Sequence, residues 1–502
     1  MRRFAVFLFL VVPLCGAAQD SEITLLKEEL EALKHLNELY VSRIEAVERR
    51  LAAYEQGEPA DSSAIELAAG QTPGDIPRGA SAPRRQAFSS GFDSQRFDYY
   101  GYMRAGYGVD EDGTSQSRYK APGALAAYRL GNEIDTYMET GFSWYNADDE
   151  KEDPPVFGTH FMIAYATPEK NTFIELGGES GQVSLREAYA TARNLDPEQP
   201  DSTIWAGQRY YRSHDVHIND FFWLDMSGFG GGIEDYDAGF AKVSVAWIGG
   251  TTDNFSGRNE YIGDLKATDK NNFDFRFNDI DLGGLGKGNF WLNYSKYRFS
   301  AENLDLTKED GWSGGFWLVS DNGKSVINTA VIQYGTGVAA NFNSFSPSLR
   351  SGVDGEFPEG TVVGEQSRLR LMDFIDFKWS DQWTAQALLV YQHDDLGLEE
   401  NTDLKWYSVG FRPVYSFSEL YNLALEASYD YTDLEDGTAG GLWKLTAAGE
   451  ITPDMGFFSR PAIRFYLTYA GWSDEFRGLI GGLTHEGKTS GAAMGVQFES
   501  WW

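Results

Sequence analysis

The sequence predicts an all-β chain: an antiparallel transmembrane β-barrel preceded by an α-helical coiled coil. Three observations carry this. The chain ends G-V-Q-F-E-S-W-W, with Val496, Phe498, Ser500 and Trp502 on one face and Gly495, Gln497, Glu499 and Trp501 on the other. Apolar-out and polar-in at period two is the pattern of a strand between lipid and water. The composition is 15% aromatic with 55 Gly, and mean hydropathy is -0.40, too polar for a helical membrane protein. No stretch of about 20 apolar residues is present, so no membrane-spanning helix is expected.

Residues 1–18 read as a secretory signal peptide. Arg2 and Arg3 precede an apolar run from Phe4 to Leu14, and Gly16-Ala17-Ala18 supplies small residues for cleavage. The only cysteine, Cys15, lies inside this segment, so the mature chain offers no disulfide and no thiolate ligand. Residues 19–56 carry heptads. With Ile23 as position a, the a and d positions are Ile23, Leu26, Leu30, Leu33, Asn37, Tyr40, Ile44, Val47, Leu51 and Tyr54; all but Asn37 are apolar or aromatic. This is a coiled-coil signal, and a polar residue at one a position can fix register and strand number. Uninterrupted helix here would be a rod about 50 Å long. Residues 57–95, with Pro59, Pro73, Pro77 and Pro83 among Gly, Ser, Ala and Asp, read as a flexible linker.

From 96 to 502 the alternation recurs. Asp98, Tyr100, Tyr102 and Arg104 alternate with Phe97, Tyr99, Met103 and Ala105. Arg129, Glu133, Asp135, Tyr137 and Glu139 are set against Leu130, Ile134, Met138 and Phe142, and this run too is read as strand. Near the end, Phe458, Arg460, Arg464 and Tyr466 alternate with Pro461, Ile463, Phe465 and Leu467. A region of about 400 residues, at roughly 22 per strand with its connections, gives about 16 to 20 strands. Barrels of that size enclose water. Gly283 to Gly288 lacks phosphate-loop spacing and reads as a hairpin turn.

Formal net charge is -33, and loss of Arg2 and Arg3 leaves 40 basic against 75 acidic residues, or -35. Nucleic acid is excluded as a partner on that balance. The acids serve either as solvated loops or as the lining of a cation-preferring pore. No G-x-S-x-G and no nucleophile set is present, so no enzyme is expected. His214, Asp215 and His217 could suggest a metal site, but residues at i and i+3 of a strand point to opposite faces, so no metal and no cofactor is expected.

The segment Ser202 to Asp225 is the densest in chemistry-bearing residues. Ser202-Thr203-Ile204-Trp205-Ala206-Gly207, followed by His214-Asp215-Val216-His217, resembles the maltoporin family of sugar-specific outer-membrane channels. Phe97 to Arg104 resembles the family's first strand. Tyr128 to Glu133, Leu185 to Ala188, Ser459 to Arg464 and the terminal Trp501-Trp502 follow in the family's order. The resemblance covers 96–502, and the N-terminal coiled coil looks like the extra segment of the sucrose-porin branch. It implies an 18-stranded barrel, a homotrimer, and a Gram-negative outer-membrane location with the N-terminal segment periplasmic. It also implies facilitated diffusion of di- or oligosaccharides, of maltodextrin or sucrose class, along a lumenal aromatic row.

Carried over by residue, the row would be Tyr102, Tyr137, Phe458 and Trp501. The flanking polar track would be Arg104, Arg129, Glu139, Arg186, Asp215 and Asp220. Phe222 falls at the family's constriction tyrosine and Ser213 at its constriction arginine, with Arg212 adjacent and directed to the other face if the strand is regular. The row's outermost tryptophan has no counterpart near Gly178 to Gly181, and its innermost position falls at Ile327. The chemistry is coherent: aromatic rings meet the apolar face of a pyranose and fixed charges meet its hydroxyl rim. The alternatives are a general, weakly cation-selective porin without sugar specificity, and a structural protein whose coiled coil tethers an envelope partner in the periplasm.

Overall fold

A computed structural model describes residues 95–146, 154–167, 182–251, 265–301, 307–323, 325–353, 355, 361–400 and 402–502. The expected signal peptide, coiled coil and linker, and the neighbourhood of Gly178 to Gly181, lie outside the described residues. Among the described residues twenty strands follow in order. They are β1 (Gln95–Asp110), β2 (Thr136–Asn146), β3 (Val156–Thr167), β4 (Gln182–Arg193), β5 (Thr203–Arg209), β6 (His214–Val216), β7 (Phe221–Leu224), β8 (Gly228–Asp237), β9 (Lys242–Thr251) and β10 (Leu265–Asp281). Then come β11 (Lys287–Ala301), β12 (Thr307–Asp321), β13 (Val326–Thr336), β14 (Ser367–Lys378), β15 (Trp383–Asp395), β16 (Asp403–Ser416), β17 (Tyr421–Asp433), β18 (Ala439–Ile451), β19 (Ala462–Trp472) and β20 (Ser490–Trp501).

All but β6 and β7 form one 18-stranded antiparallel sheet. It closes where β1 meets β20, with Tyr102 opposite Trp501 and Gly108 opposite Gly495. Closure leaves no unpaired edge, which a wall in hydrocarbon requires. The period-two reading holds on this wall. In β19, Ile463, Phe465, Leu467 and Tyr469 are exposed, whereas Arg464, Tyr466, Thr468 and Ala470 are buried toward the interior. In β20, Met494 and Val496 face out, and Gln497 and Glu499 face in.

One end carries tight turns, including 238–241, 282–286, 379–382 and 417–420; the other sends out the long connections 111–135, 210–227, 337–366 and 473–489. Short turns mark the periplasmic end and long loops the cell exterior. β1 starts at the short-turn end, since Gln95 pairs with Asn146.

The apolar core lies inside the wall. Tyr119, Tyr128, Ile218, Phe221, Trp223 and Phe342, all from the long loops, are buried against inward strand residues such as Trp205, Trp291, Trp317 and Trp406. The loops fold in because these large inward side chains would otherwise meet lumenal water; covering them contributes about 1.5–3 kcal/mol for each fully buried apolar side chain.

One expectation is corrected here. The stretch from Arg129 to Asp135 is not strand: β2 begins at Thr136, and 111–135 is a loop within the barrel. Gly131 adopts φ 71°, and a Cβ there would stand 2.2 Å from Thr468 Oγ1. This turn reverses the chain, with the Asn132 amide donating to the Arg129 carbonyl at 2.9 Å. Leu130, expected to face lipid, is instead 1% exposed and packs with Val414, Ala424, Ala448 and Tyr466.

Inward strand side chains grip the loop backbones. Arg412 Nη2 donates to the Ile218 carbonyl at 2.9 Å, while Gln386 accepts the Ile218 amide at 2.7 Å. Arg370 Nη1 donates to the Trp223 carbonyl and Arg276 Nη1 to the Arg212 carbonyl, both at 2.7 Å. Lys444 Nζ donates to the Leu130 carbonyl at 2.6 Å. Charge-assisted bonds of this kind are stronger than neutral ones.

Candidate functional site

A diagonal of inward aromatics crosses three neighbouring strands. Tyr137 of β2 stands opposite Arg104, Tyr102 of β1 stands opposite Glu139 on one side and Trp501 of β20 on the other. Phe458, in the turn before β19, continues toward the short-turn end. The Tyr102 and Tyr137 ring centroids are 6.1 Å apart, close to the rise of two strand residues. Strand tilt converts this neighbour-to-neighbour order into a row descending the channel.

His217, just beyond β6, joins the lower part of the row. Its ring meets Trp501 edge-on at 5.5 Å and Phe458 at 5.7 Å. The Arg460 guanidinium lies 4.4 Å over the Trp501 ring, so one face of that indole is already occupied.

The charges form one connected cluster. Glu499, 1% exposed, lies 2.6 Å from Arg129 Nη2, 2.6 Å from Arg460 Nη2 and 3.0 Å from Arg464 Nη1, and accepts from the Tyr102 hydroxyl at 3.1 Å. Arg129 also donates to the Tyr102 hydroxyl and approaches His217 Nδ1 at 3.0 Å. Arg104 pairs with Asp135 at 2.9 Å, Asp220 at 3.1 Å and Glu133 at 3.2 Å, and its guanidinium lies 5.3 Å from the Tyr137 ring centre. One carboxylate amid three guanidiniums, and one guanidinium amid three carboxylates, keeps these buried ions compensated.

The exposure of these pairs is lopsided. Arg104 and Arg129 are 12% and 5% exposed, whereas Asp135 and Asp220 are 30% and 38% exposed. The water-filled side of the network therefore presents carboxylates.

The structure places the remaining candidates as follows. Glu139 accepts from both the Tyr137 and the Tyr210 hydroxyls, and Arg186 donates to the Tyr210 hydroxyl. β6 and β7 form a small hairpin in the inward loop, with Asp215 opposite Phe222. Phe221 and Trp223 turn to the wall, packing on Trp406 and Trp317. Phe222, between them, is 50% exposed and faces the open lumen. Ser213 Oγ donates to Asp225 Oδ1 at 2.8 Å in the neck of the hairpin. Arg212, at φ 43°, pairs with Glu234 at 2.9 Å and Asp235 at 2.5 Å, against β8. Ile327 is buried on the inward face of β13.

His214 stacks on Trp223 at 4.8 Å rather than turning toward His217. Among the described residues no group of three or more His, Cys, Asp or Glu is arranged to hold a metal ion.

Sequence reasoning did not select Glu499, Arg460, His217, Glu133, Asp135 or Tyr210 for the site. Glu499, Arg460, Glu133 and Asp135 were already on the polar side of the alternation, and that was the available signal. Nothing local marks Tyr210, which follows β5 where the chain leaves the wall.

A closed 18-stranded barrel whose loops fold into a polar, aromatic-lined lumen defines an outer-membrane channel. The sequence model of the LamB porin family matches residues 97–502, and the chain belongs to that family. It is a porin of the Gram-negative outer membrane, in a family of channels and not of enzymes. Solved structures similar to it include Salmonella typhi OmpF in complex with daunomycin, at 11% identity over 81% of this chain and 98% of that one, TM-score 0.43. Acinetobacter baumannii OccAB1 is similar at 9% identity over 83% and 98%, TM-score 0.40. Vibrio cholerae OmpT is similar at 11% identity over 83% and 100%, TM-score 0.37.

Proposed function

We propose that this porin carries di- or oligosaccharides across the outer membrane by facilitated diffusion. The observation that supports this most directly is the descending row Tyr137, Tyr102, Trp501 and Phe458 with charged groups beside its first three rings. A pyranose would slide with its C–H face on the rings while its hydroxyls exchange partners along Arg104, Arg129, Glu139, Arg186, Asp215 and Asp220. Each contact is weak enough to release the sugar to the next, as conduction requires. Replacing Trp501 by Ala removes the ring at the crossing of β1 and β20. The expected outcome is a sugar half-saturation constant for current block raised about tenfold, from loss of a stacking contact worth about 0.5–1.5 kcal/mol beyond its buried area. Unchanged block in Trp501→Ala would refute the proposal.

A second reading, a general and weakly cation-selective porin, is favoured by two observations. Phe222 brings no hydroxyl to the lumen, and Arg212 is engaged at the wall with Glu234 and Asp235. Equal permeation of sugars and unrelated solutes of the same size would select it.

We further propose the organisation around the barrel: a signal peptide at 1–18, a periplasmic coiled coil at 19–56, a linker at 57–95, and assembly as a homotrimer. The start of β1 at the short-turn end supports a periplasmic origin for the preceding chain. A tethering role for that chain is tested by deleting 19–95; sugar flux that persists while envelope integrity fails would support it.

A further inference from the structure

Inward groups of β2 and β4 converge on a residue outside the row and its track. Tyr210 is the first residue past β5, where the chain leaves the wall for the inward hairpin. It is held at both ends by β4. A β-bulge leaves Arg186 unpaired, since Met162 stands opposite Glu187 and Ile163 opposite Leu185. A bulge re-aims side chains, and here both Arg186 and Glu187 reach Tyr210. Glu187 Oε1 accepts the Tyr210 amide at 3.3 Å, and Arg186 Nε donates to the Tyr210 hydroxyl. That hydroxyl donates in turn to Glu139 Oε1 at 2.6 Å, the same oxygen that accepts from Tyr137.

This relay, Arg186 to Tyr210 to Glu139 to Tyr137, joins β4 to the uppermost ring of the row. It takes one nitrogen of Arg186 and one oxygen of Glu139. Arg186 and Glu139 are each only partly buried, so the polar atoms outside the relay can face water. The Arg186 guanidinium lies 4.9 Å over the Tyr210 ring, which covers one face of that ring. Tyr210 is thereby better placed to fix its neighbours than to stack on a ligand itself.

We infer that Tyr210 is a positioning residue for sugar entry, locking Arg186 and Glu139 into a fixed donor–acceptor pair that meets neighbouring hydroxyls of an uncharged sugar. The inference rests on the sugar-channel reading and deepens it. Two flexible charged side chains lose rotamer freedom when they bind; a pre-formed bridge removes most of that cost before the sugar arrives. The same bridge orients the Tyr137 ring, so a hydroxyl on the inward loop tunes a ring on β2.

The test is Tyr210→Phe in the full chain, reconstituted in planar bilayers, with maltotriose and sucrose as probes. The substitution keeps the ring, the guanidinium stacking and the backbone bond to Glu187, and removes only the hydroxyl. The expected result is a half-saturation constant for sugar block raised about fivefold, the size of effect set by one net hydrogen bond. In a Tyr210→Phe/Glu139→Ala double variant, the rise should fall short of the sum of the two single rises in free-energy terms, because the two act through one relay. A fully additive double variant would overturn the inference, and so would a Tyr210→Phe channel blocked like the parent. If the parent channel itself shows no sugar block, the sugar reading has failed and the inference falls with it. The heat-induced mobility shift of each variant in detergent gels confirms that the barrel has folded.

Discussion

At the scale of single residues, Glu499 holds the site together. It sits between Arg129, Arg460 and Arg464, and Tyr102 hydrogen-bonds to it. Removing its charge leaves three neighbouring guanidiniums with less compensation, a change that costs about 3–5 kcal/mol in buried ion pairs. Glu499→Gln is expected to lower the barrel's thermal stability and to shift the reversal potential in a salt gradient toward anions. An unchanged reversal potential would mean that this cluster does not contribute to the pore's field. The residue scale also shows what could be read beforehand. Tyr102, Arg104 and Trp501 were legible because lipid and water impose period two on β1 and β20. The partners of Glu499 were not, since Arg129 and Glu499 are distant in sequence and only the closed barrel brings them together.

At the scale of elements, inward side chains of the wall seat the loops inside the barrel. Gln386 and Arg412 hold Ile218, and Arg370 holds Trp223. Arg370→Met keeps an apolar stem but removes the guanidinium that lies over Phe221 and Phe342 and donates to the Trp223 carbonyl. The hairpin β6–β7 should then fluctuate away from its seat, with single-channel conductance rising and current noise increasing. Quiet, parental conductance would assign the seating to the apolar contacts alone.

A second contact latches loop 111–135 to loop 473–489. Burial would raise the Glu111 carboxyl, but the Ala492 amide, Lys488 and His485 bond to it and hold it down to about 2, against an ordinary value of 4.5. Because the folded-state value is depressed, the latch is complete above about pH 4.5 and is lost as pH falls through about 2. Loop flicker in the parent should therefore appear only in strong acid, whereas Glu111→Gln should flicker at neutral pH. Identical traces at neutral pH would remove Glu111 from the latch. These elements explain the misreading of Arg129 to Asp135. A loop alternating between the polar network and the apolar lining repeats at the same period as a strand, and the turn at Gly131, with its positive φ and the bond from the Asn132 amide to the Arg129 carbonyl, distinguishes them. The roles of Arg370 and Arg412 were equally hidden, because a lumenal charge that grips a carbonyl has the same sequence signature as one that faces a solute.

For the whole molecule, the barrel class followed from solvent asymmetry, and the length of the alternating region bounded the strands at about 16 to 20; the figure of eighteen came with the family resemblance. Which groups border the open lumen did not follow, because the long loops must fold inward before the channel has a shape. The proposed function is selective passage of sugar over a wall of rings and charges. It is tested most directly by ion current through the purified protein in a planar bilayer, titrated with maltotriose, sucrose and an uncharged non-sugar of similar size. Saturable block by a sugar and none by the non-sugar is the predicted result, with closure in steps of three if the channel is a trimer. Current indifferent to every sugar would contradict the claim and leave a general pore.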